Sequence, residues 1–191
     1  MKRASWISGL PLAAGLLWFS ALPIASADNL VVNGDFEQPL GAPWVLYSGG
    51  VSTIERLTDL DPDPDYEVHV DLPGAGAGRL AQIVPVPDSE IGFSGHLRMH
   101  AQHTGDAWSG AALVLSYLNS AQEVLGETWL GAWTPNCPWE GGPATHLIGL
   151  PDDVWLDWTF NINEELVELP AVDPQAVRYI QIELYVQAYE C

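Results

Sequence analysis

Tryptophan is the residue type that most strongly indicates ligand chemistry in this sequence. Seven of its nine tryptophans follow residue 27, which is about three times ordinary usage. Four of them, Trp108, Trp129, Trp133 and Trp139, lie in or beside segments rich in glycine or proline. An exposed indole ring is a flat apolar surface on which the C–H face of a pyranose can stack while nearby Asn, Gln, Asp and Arg side chains bind the hydroxyl groups. We therefore predict that these four rings form a sugar-binding platform; the alternative is that they fill the core, as about half of the seven are expected to do.

The sequence contains no motif that is typical of an enzyme. It lacks a serine nucleophile in a Gly-x-Ser-x-Gly turn, a His-Glu-x-x-His zinc motif and a glycine-rich phosphate loop. A pair of carboxylates for glycoside hydrolysis could be present among the 25 acidic residues, but a single sequence does not identify it. We therefore expect a binding protein rather than an enzyme and assign no catalytic residue.

Three histidines, His96, His100 and His103, lie in one segment that is predicted to be extended. On a strand, residues 96 and 100 are four positions apart, or roughly 13 Å, which is too far for one metal ion to bridge. His100 and His103 could meet only if the strand ends between them, and two histidines without a third ligand make a poor metal site. We interpret all three as surface or cross-strand histidines.

The charge of the chain excludes several classes of partner. The formal net charge is −19, and after residue 27 only four arginines oppose 25 carboxylates, which gives −21. Such a surface repels nucleic acid and anionic lipid and attracts cations. Because 48% of the residues are hydrophobic and only 16% are charged, the composition indicates a folded protein rather than a disordered one.

The N-terminal segment has the pattern of an export signal. Lys2 and Arg3 precede an apolar run from Trp6 to Ala25, and Ala25-Ser26-Ala27 is a small-x-small cleavage site. We predict a signal peptide over residues 1–27, a mature chain from Asp28, and a secreted product, periplasmic or extracellular; the alternative is a retained membrane anchor. The remaining residues, 28–191, are enough for one domain.

Cys137 and Cys191 are the only cysteines in the sequence. In an exported protein, a lone pair of cysteines is more often a disulfide than a catalytic or metal-binding set. Closing the long loop between them would stabilise the fold by roughly 4 kcal/mol in the chain-entropy model. The alternative is a free C-terminal thiol that pairs with another chain.

Short apolar segments separated by Pro, Gly, Asn and Asp predict a sheet protein. In the last segment the even positions, Ile180, Ile182, Leu184 and Val186, form an apolar face, and the odd positions form a mixed outward face. Many short strands with one buried face favour a two-sheet sandwich. The predicted strands are Leu30–Val32, Trp44–Tyr47, Ser52–Leu57, Glu67–Val70, Arg79–Val84, Phe93–Ala101, Ala111–Asn119, Val124–Leu130, Trp155–Asn161 and Val177–Gln187.

The segment Asn29-Leu30-Val31-Val32-Asn33-Gly34-Asp35-Phe36-Glu37 resembles the opening strand of the galactose-binding-domain-like jelly rolls. This class includes the carbohydrate-binding modules of bacterial cellulases and xylanases. Three later segments follow in the same order as in such modules, namely Arg79–Val86, Ala112–Gly126 and Val177–Val186. The resemblance spans nearly the whole mature chain and implies an all-β fold, an antiparallel two-sheet jelly-roll sandwich.

The resemblance also implies a structural calcium ion where the first and last strands meet, with Glu37 among its ligands. Calcium takes six to eight oxygen ligands, and turn oxygens at Asn33 or Asp35 could contribute. The chain departs from the family at its end, where relatives have an aspartate pair and this sequence reads Gln187-Ala188-Tyr189-Glu190-Cys191. Either Glu190 substitutes for that pair or the site is lost, and Glu37 is then a solvated carboxylate.

The leading hypothesis is a secreted, non-catalytic protein that binds a polysaccharide or glycan on exposed tryptophans. A second hypothesis is a cell-envelope structural protein that associates with copies of itself through its sheet edges and aromatic loops. A third is a glycan-cleaving or glycan-modifying enzyme on the same fold.

Overall fold

The computed structural model describes residues 29–59, 65–87, 90–102 and 106–189. Across these residues the chain forms ten β-strands, a four-residue helix α1 (Ile162–Glu165) and two short 3-10 turns at Leu166–Glu168 and Pro174–Ala176. The strands are β1 (Val45–Gly50), β2 (Thr53–Leu57), β3 (Glu67–Asp71), β4 (Gly76–Pro85), β5 (Gly92–Leu97), β6 (Trp108–Leu118), β7 (Val124–Trp133), β8 (Thr145–Gly149), β9 (Leu156–Asn161) and β10 (Tyr179–Tyr189).

Six strands form the main sheet, in the order β1-β4-β10-β6-β7-β8. All neighbours are antiparallel except β7 and β8, which are parallel. β10 lies between β4 and β6 and pairs with both along almost its whole length. Because side chains alternate along a strand, Ile180 and Ile182 face the core, whereas Tyr179, Gln181 and Tyr185 face the opposite side.

Two separate two-stranded ladders, β2–β3 and β5–β9, form the second layer. Ile54 and Val68 of the first ladder and Phe93 and Phe160 of the second pack against the buried core of the main sheet. Helix α1 and the turn after it add Ile162, Leu166 and Leu169, each buried. The predicted all-β sandwich is confirmed, with its second layer divided into two ladders.

The predicted opening strand, Leu30–Val32, is wrong, because the chain bends at residues 30–31 and forms a turn over residues 32–35. The side-chain amide of Gln82, only 2% exposed, takes the place of a strand partner: Val32 N–H donates to its Oε1 (2.9 Å), and its Nε2 donates to the Val32 carbonyl (2.9 Å). The indole N–H of Trp44 also donates to Val32 and Asn33 carbonyls. Asn33 (51°) and Phe36 (55°) have positive φ angles, which a β-strand does not contain.

The other nine predicted strands are present, with ends shifted by a few residues. Strand β8 was not predicted. Its five residues, Thr145–Gly149, do not alternate clearly between buried and exposed, because four of them are half-buried. They extend the sheet by parallel pairing with β7, a contact that its local sequence does not specify.

Residues 1–28, which contain the predicted signal peptide, lie outside the described part of the chain. Among the residues that the structure describes, no helix has the length and apolar character needed to cross a bilayer.

Replacing Gln82 by alanine should destabilise the protein by about 2 kcal/mol, because at a partly buried position the Val32 N–H would lose its acceptor and the Val32 carbonyl would lose one of its two donors. The midpoint of urea unfolding measures the effect. Gln175→Ala, at an exposed position in a 3-10 turn, is the control and should change stability by less than about 0.5 kcal/mol. Equal midpoints for the two variants would contradict this role of Gln82.

Candidate ligand-binding site

The outer face of the main sheet, meaning the face turned away from the two ladders, carries a group of aromatic side chains. Trp129 and Trp133 are four residues apart on β7 and therefore point to the same face, as does Tyr185 of β10. Trp139 comes from the loop that follows β7 and folds back over the same face. We call these four residues, Trp129, Trp133, Trp139 and Tyr185, the aromatic cluster.

Trp139 is the centre of the aromatic cluster. Its ring centroid lies 4.8 Å from that of Trp129, 6.1 Å from Tyr185 and 6.2 Å from Trp133. The Trp129 and Trp139 planes meet at 65°, whereas Trp139 and Tyr185 are inclined by only 30°. Distances and angles of this kind are typical of favourable aromatic pairs. Because all four side chains are half-buried, they form a fixed surface that still reaches solvent.

The position of Trp139 requires a glycine beneath it. A Cβ atom built at Gly110 would collide with the six-membered ring of Trp139. Gly110 lies in register with Trp133 on one side and Gln187 on the other, and Trp139 Nε1 donates to Gln187 Oε1 at 3.5 Å. The absent side chain at residue 110 therefore allows the loop indole to lie flat on the sheet.

Three of the four predicted platform residues belong to the aromatic cluster, and the fourth lies on the same face of the sheet but outside the cluster. Trp108, at the start of β6, stacks instead on Tyr189 at the end of β10, with centroids 6.3 Å apart and planes at 23°. Tyr185 was not predicted as a site residue. The alternation of the last strand places it on the outward face, and that signal could have identified it.

Glu127 is the carboxylate next to Trp129 on this face. Its Oε1 accepts a hydrogen bond from Ser116 Oγ and its Oε2 accepts one from the indole N–H of Trp129, both at 3.0 Å. Each carboxylate oxygen can accept more than one hydrogen bond, so Glu127 both fixes the indole and keeps acceptor capacity for a ligand.

Glu183 is a second carboxylate on the outer face, and it is only 7% exposed. It accepts a hydrogen bond from Gln181 Nε2 at 2.7 Å and lies 3.9 Å from the guanidinium of Arg79. Burial raises the pKa of Glu183, while Arg79 and Gln181 lower it and the charge of Glu127 raises it further. Arg79 in turn lies over the ring of Tyr47, 4.9 Å from its centroid.

Tyr47, Arg79 and Tyr185 belong to a row of residues that crosses the main sheet at right angles to its strands. The register pairs each member with the next, so the row crosses all six strands and spans about 24 Å at the usual strand spacing. Its aromatic and charged members occupy one half and its small members the other. In order, the row is Tyr47, Arg79, Tyr185, Ala112, Gly131 and Gly149.

Two of the residues predicted to bind calcium, Asp35 and Glu37, lie in the described part of the chain. Glu37 contacts the β2–β3 side of the molecule, where its Oε1 accepts the Tyr66 N–H at 3.2 Å. Asp35 Oδ1 accepts the Glu37 N–H at 3.3 Å. Glu190 lies outside the described residues, so the calcium site stays a prediction.

Within the described ranges, no group of three or more His, Cys, Asp or Glu side chains is close enough to hold a metal ion. His96 pairs with Asp157 at 2.8 Å and His100 pairs with Asp152 at 3.1 Å. His103 is outside the described part of the chain.

Cys137 lies half-buried in the loop that follows β7, where burial raises the pKa of its thiol and a backbone hydrogen bond from Trp139 lowers it. Its predicted disulfide partner, Cys191, is outside the described residues. The loop begins beside β6, because Thr134 N–H donates to the Ser109 carbonyl, and the end of β10 pairs with the same end of β6 through Tyr189 and Trp108. The disulfide stays a prediction.

Comparison with known proteins identifies no family for this chain. No family model matches the chain, and no curated protein matches it. A weak structural similarity is found to the enzymatically active domain of tailspike protein 4 from bacteriophage CBA120, with 14% identity and a TM-score of 0.44. The match covers 84% of this chain and 19% of the tailspike chain. A likeness of this size says nothing about shared chemistry.

If calcium binds at Glu37, a chelator should lower the melting temperature, because a ligand that binds only the folded state stabilises it. Thermal melts with calcium and with EDTA measure the difference. Glu37→Gln should melt at one temperature in both conditions, since the neutral amide binds calcium poorly. A wild-type melt that is the same in calcium and in EDTA would contradict the site.

The exported protein should contain no free thiol, because Cys137 and Cys191 are expected to be joined in an oxidising compartment. Alkylation without reductant, followed by intact mass measurement, should add no label, and reduction should then expose two thiols and destabilise the fold by roughly 4 kcal/mol. Two labelled thiols before reduction, or a disulfide-linked dimer, would show that the prediction is wrong.

Proposed function

We propose that this chain is a secreted, non-catalytic carbohydrate-binding protein that holds a polysaccharide on the outer face of its main sheet. The observation that carries the proposal is the meeting of Trp129, Trp133, Trp139 and Tyr185 on that face, half-buried and in mutual contact. Rings that are already fixed by their neighbours lose little conformational entropy when a ligand stacks on them. The cross-sheet row of about 24 Å gives room for several sugar units.

Polar groups around the aromatic cluster suit the hydroxyl groups of a sugar. Glu127 offers carboxylate oxygens beside Trp129, and Gln187 offers an amide beside Trp139. Arg79, which lies next to Tyr47 in the row, supplies hydrogen-bond donors, and its side chain is 48% exposed. A few polar groups around an apolar surface are the usual means by which a binding site orients its ligand.

The charge of the protein indicates a neutral polysaccharide rather than an acidic one. The mature chain carries −21, and the outer face holds Glu127 and Glu183 against one arginine, Arg79. Arg79 is already near Glu183, so a uronic acid or a sulfate group would meet uncompensated negative charge.

The surroundings of the two outer-face carboxylates, Glu127 and Glu183, favour a binding role over hydrolysis. Glycoside hydrolysis needs one carboxyl group that delivers a proton to the glycosidic oxygen and a second that acts on the other side of the sugar. Glu183 is nearly buried and is held by Gln181 and Arg79, an arrangement that suits a structural role. Incubation with the bound polysaccharide tests this directly, since release of shorter products would favour the enzyme alternative.

Trp139→Ala should weaken binding by about 2 kcal/mol, or roughly 30-fold, because a central stacking ring is lost. Isothermal titration with hexasaccharides of glucose, xylose, mannose and galactose first identifies the ligand and then measures the variant. Trp155→Ala is the matched control, because Trp155 stacks on His96 (4.8 Å, 7°) away from the aromatic cluster and should bind as the wild type does. Gly110→Val, which displaces Trp139 without removing it, should show a loss similar to that of Trp139→Ala.

Varying the ionic strength in the same titration distinguishes binding by stacking from binding by charge. Stacking and neutral hydrogen bonds are screened little, so affinity should stay nearly constant between low and high ionic strength. Loss of affinity in Trp155→Ala equal to that in Trp139→Ala would contradict the aromatic cluster as the binding surface.

A further inference from the structure

A cavity of about 390 Å³ opens at one corner of the main sheet. Strand β8 ends at Gly149, whereas its neighbour β7 continues to Trp133, so the sheet leaves a notch beside Trp133. Leu150 remains tied to the sheet through its N–H, which donates to the Gly131 carbonyl at 2.8 Å. The cavity in this notch is lined by Trp133, Pro135, Gly149, Leu150 and Asp152 among others.

The cavity is continuous with the aromatic cluster. Trp133 lines the cavity and its ring is also 6.2 Å from that of Trp139. Gly131 and Gly149, the last two members of the cross-sheet row, line the cavity as well. A chain that lies along the row therefore reaches the cavity where the row ends.

Asp152 gives the cavity one fixed polar group. Its Oδ1 accepts the Ala101 N–H at 2.9 Å and its Oδ2 contacts His100 Nδ1 at 3.1 Å, which together hold the carboxylate in one orientation. The side chain is still 50% exposed, and each oxygen can accept a further hydrogen bond. A hydroxyl group that donates to a charged acceptor forms one of the stronger hydrogen bonds available to a sugar.

We propose that this cavity is a subsite for the terminal, uncharged sugar unit of the polysaccharide, with one face of the ring on Trp133 and a hydroxyl group donating to Asp152. The proposal rests on the proposed function of the outer face. The terminal unit is chosen because the cavity lies at the corner where the row ends, and its volume falls in the range of small-ligand pockets.

The charges around the cavity determine which sugars it accepts. Asp152 lines it, and the adjacent Asp153 already holds Arg98 through two hydrogen bonds of 2.8 and 2.6 Å. Arg98 is thus engaged, and His100 faces Asp152. A terminal uronic acid would place its carboxylate against Asp152, so the subsite should discriminate against it.

The test uses two variants that change the cavity in different ways. Asp152→Asn removes the charged acceptor, and Gly149→Leu fills the space, since a Cβ at residue 149 makes only an ordinary contact with Trp133 at 3.6 Å. Each should weaken binding of the hexasaccharide that the wild type prefers by about tenfold, as expected when one charge-assisted hydrogen bond or one sugar contact is lost.

Two controls match these variants. Asp157→Asn removes the carboxylate of the other histidine–aspartate pair, with His96, and Gly92→Leu adds the same side chain at a position with open space around it. Both should bind as the wild type does, and thermal melts of all four variants should show a folded protein. The preferred hexasaccharide with its terminal unit replaced by a uronic acid should bind the wild type at least tenfold more weakly than the neutral hexasaccharide.

The outcomes distinguish this subsite from the binding face itself. If Asp152→Asn and Gly149→Leu bind as tightly as the wild type while Trp139→Ala loses affinity, the cavity is not a subsite and the proposed function stands. If the wild type binds none of the neutral hexasaccharides, both proposals are overturned. Equal affinity for the neutral and the uronic acid oligosaccharides would overturn the predicted preference for an uncharged unit.

Discussion

The alternation of side chains along β10 supports both the core and the candidate site. Ile180 and Ile182 point inward and are buried at the centre of the core, whereas Glu183 and Tyr185 point to the outer face. Because β10 pairs with β4 and β6 over ten or more residues on each side, a slip of one residue would send Tyr185 into the core and Ile182 to the solvent. The burial of the apolar face therefore fixes the register, and the register places Tyr185 beside Trp139.

The second layer is attached to the main sheet by polar as well as apolar contacts. Glu165 of α1, 8% exposed, accepts a hydrogen bond from Thr128 Oγ1 at 2.8 Å and lies 2.6 Å from His146 Nδ1. Thr128 is in turn 3.0 Å from the hydroxyl group of Tyr117, whose pKa is raised by burial. Buried polar groups are costly when they lack a partner, so this chain of contacts specifies how α1 sits on β7 and β8.

Most strands could be predicted from the sequence because alternation and turns are local features. The prediction failed where contacts between residues that are far apart in the sequence determine the structure. Leu30–Val32 has the composition of a strand, yet a single side chain fifty residues away, Gln82, supplies its hydrogen bonds. The same limit applies to the site. Trp108 and Trp133 occur in similar glycine-containing surroundings, but only the register of β6 with β7 and β10 shows that Trp108 meets Tyr189 and that Trp133 meets Trp139.

The register of the main sheet also explains why a residue of β1 is exposed. Residues 38–54 contain no charged side chain, and Val45 and Tyr47 are exposed on this edge strand, by 67% and 53%. Unprotected edge strands favour association with another strand, whereas the charge of −21 on residues 28–191 opposes the approach of a second copy. Tyr47, however, begins the cross-sheet row and lies against Arg79. If the proposed binding face is correct, a glycan along the row would cover this side chain and would account for its exposure.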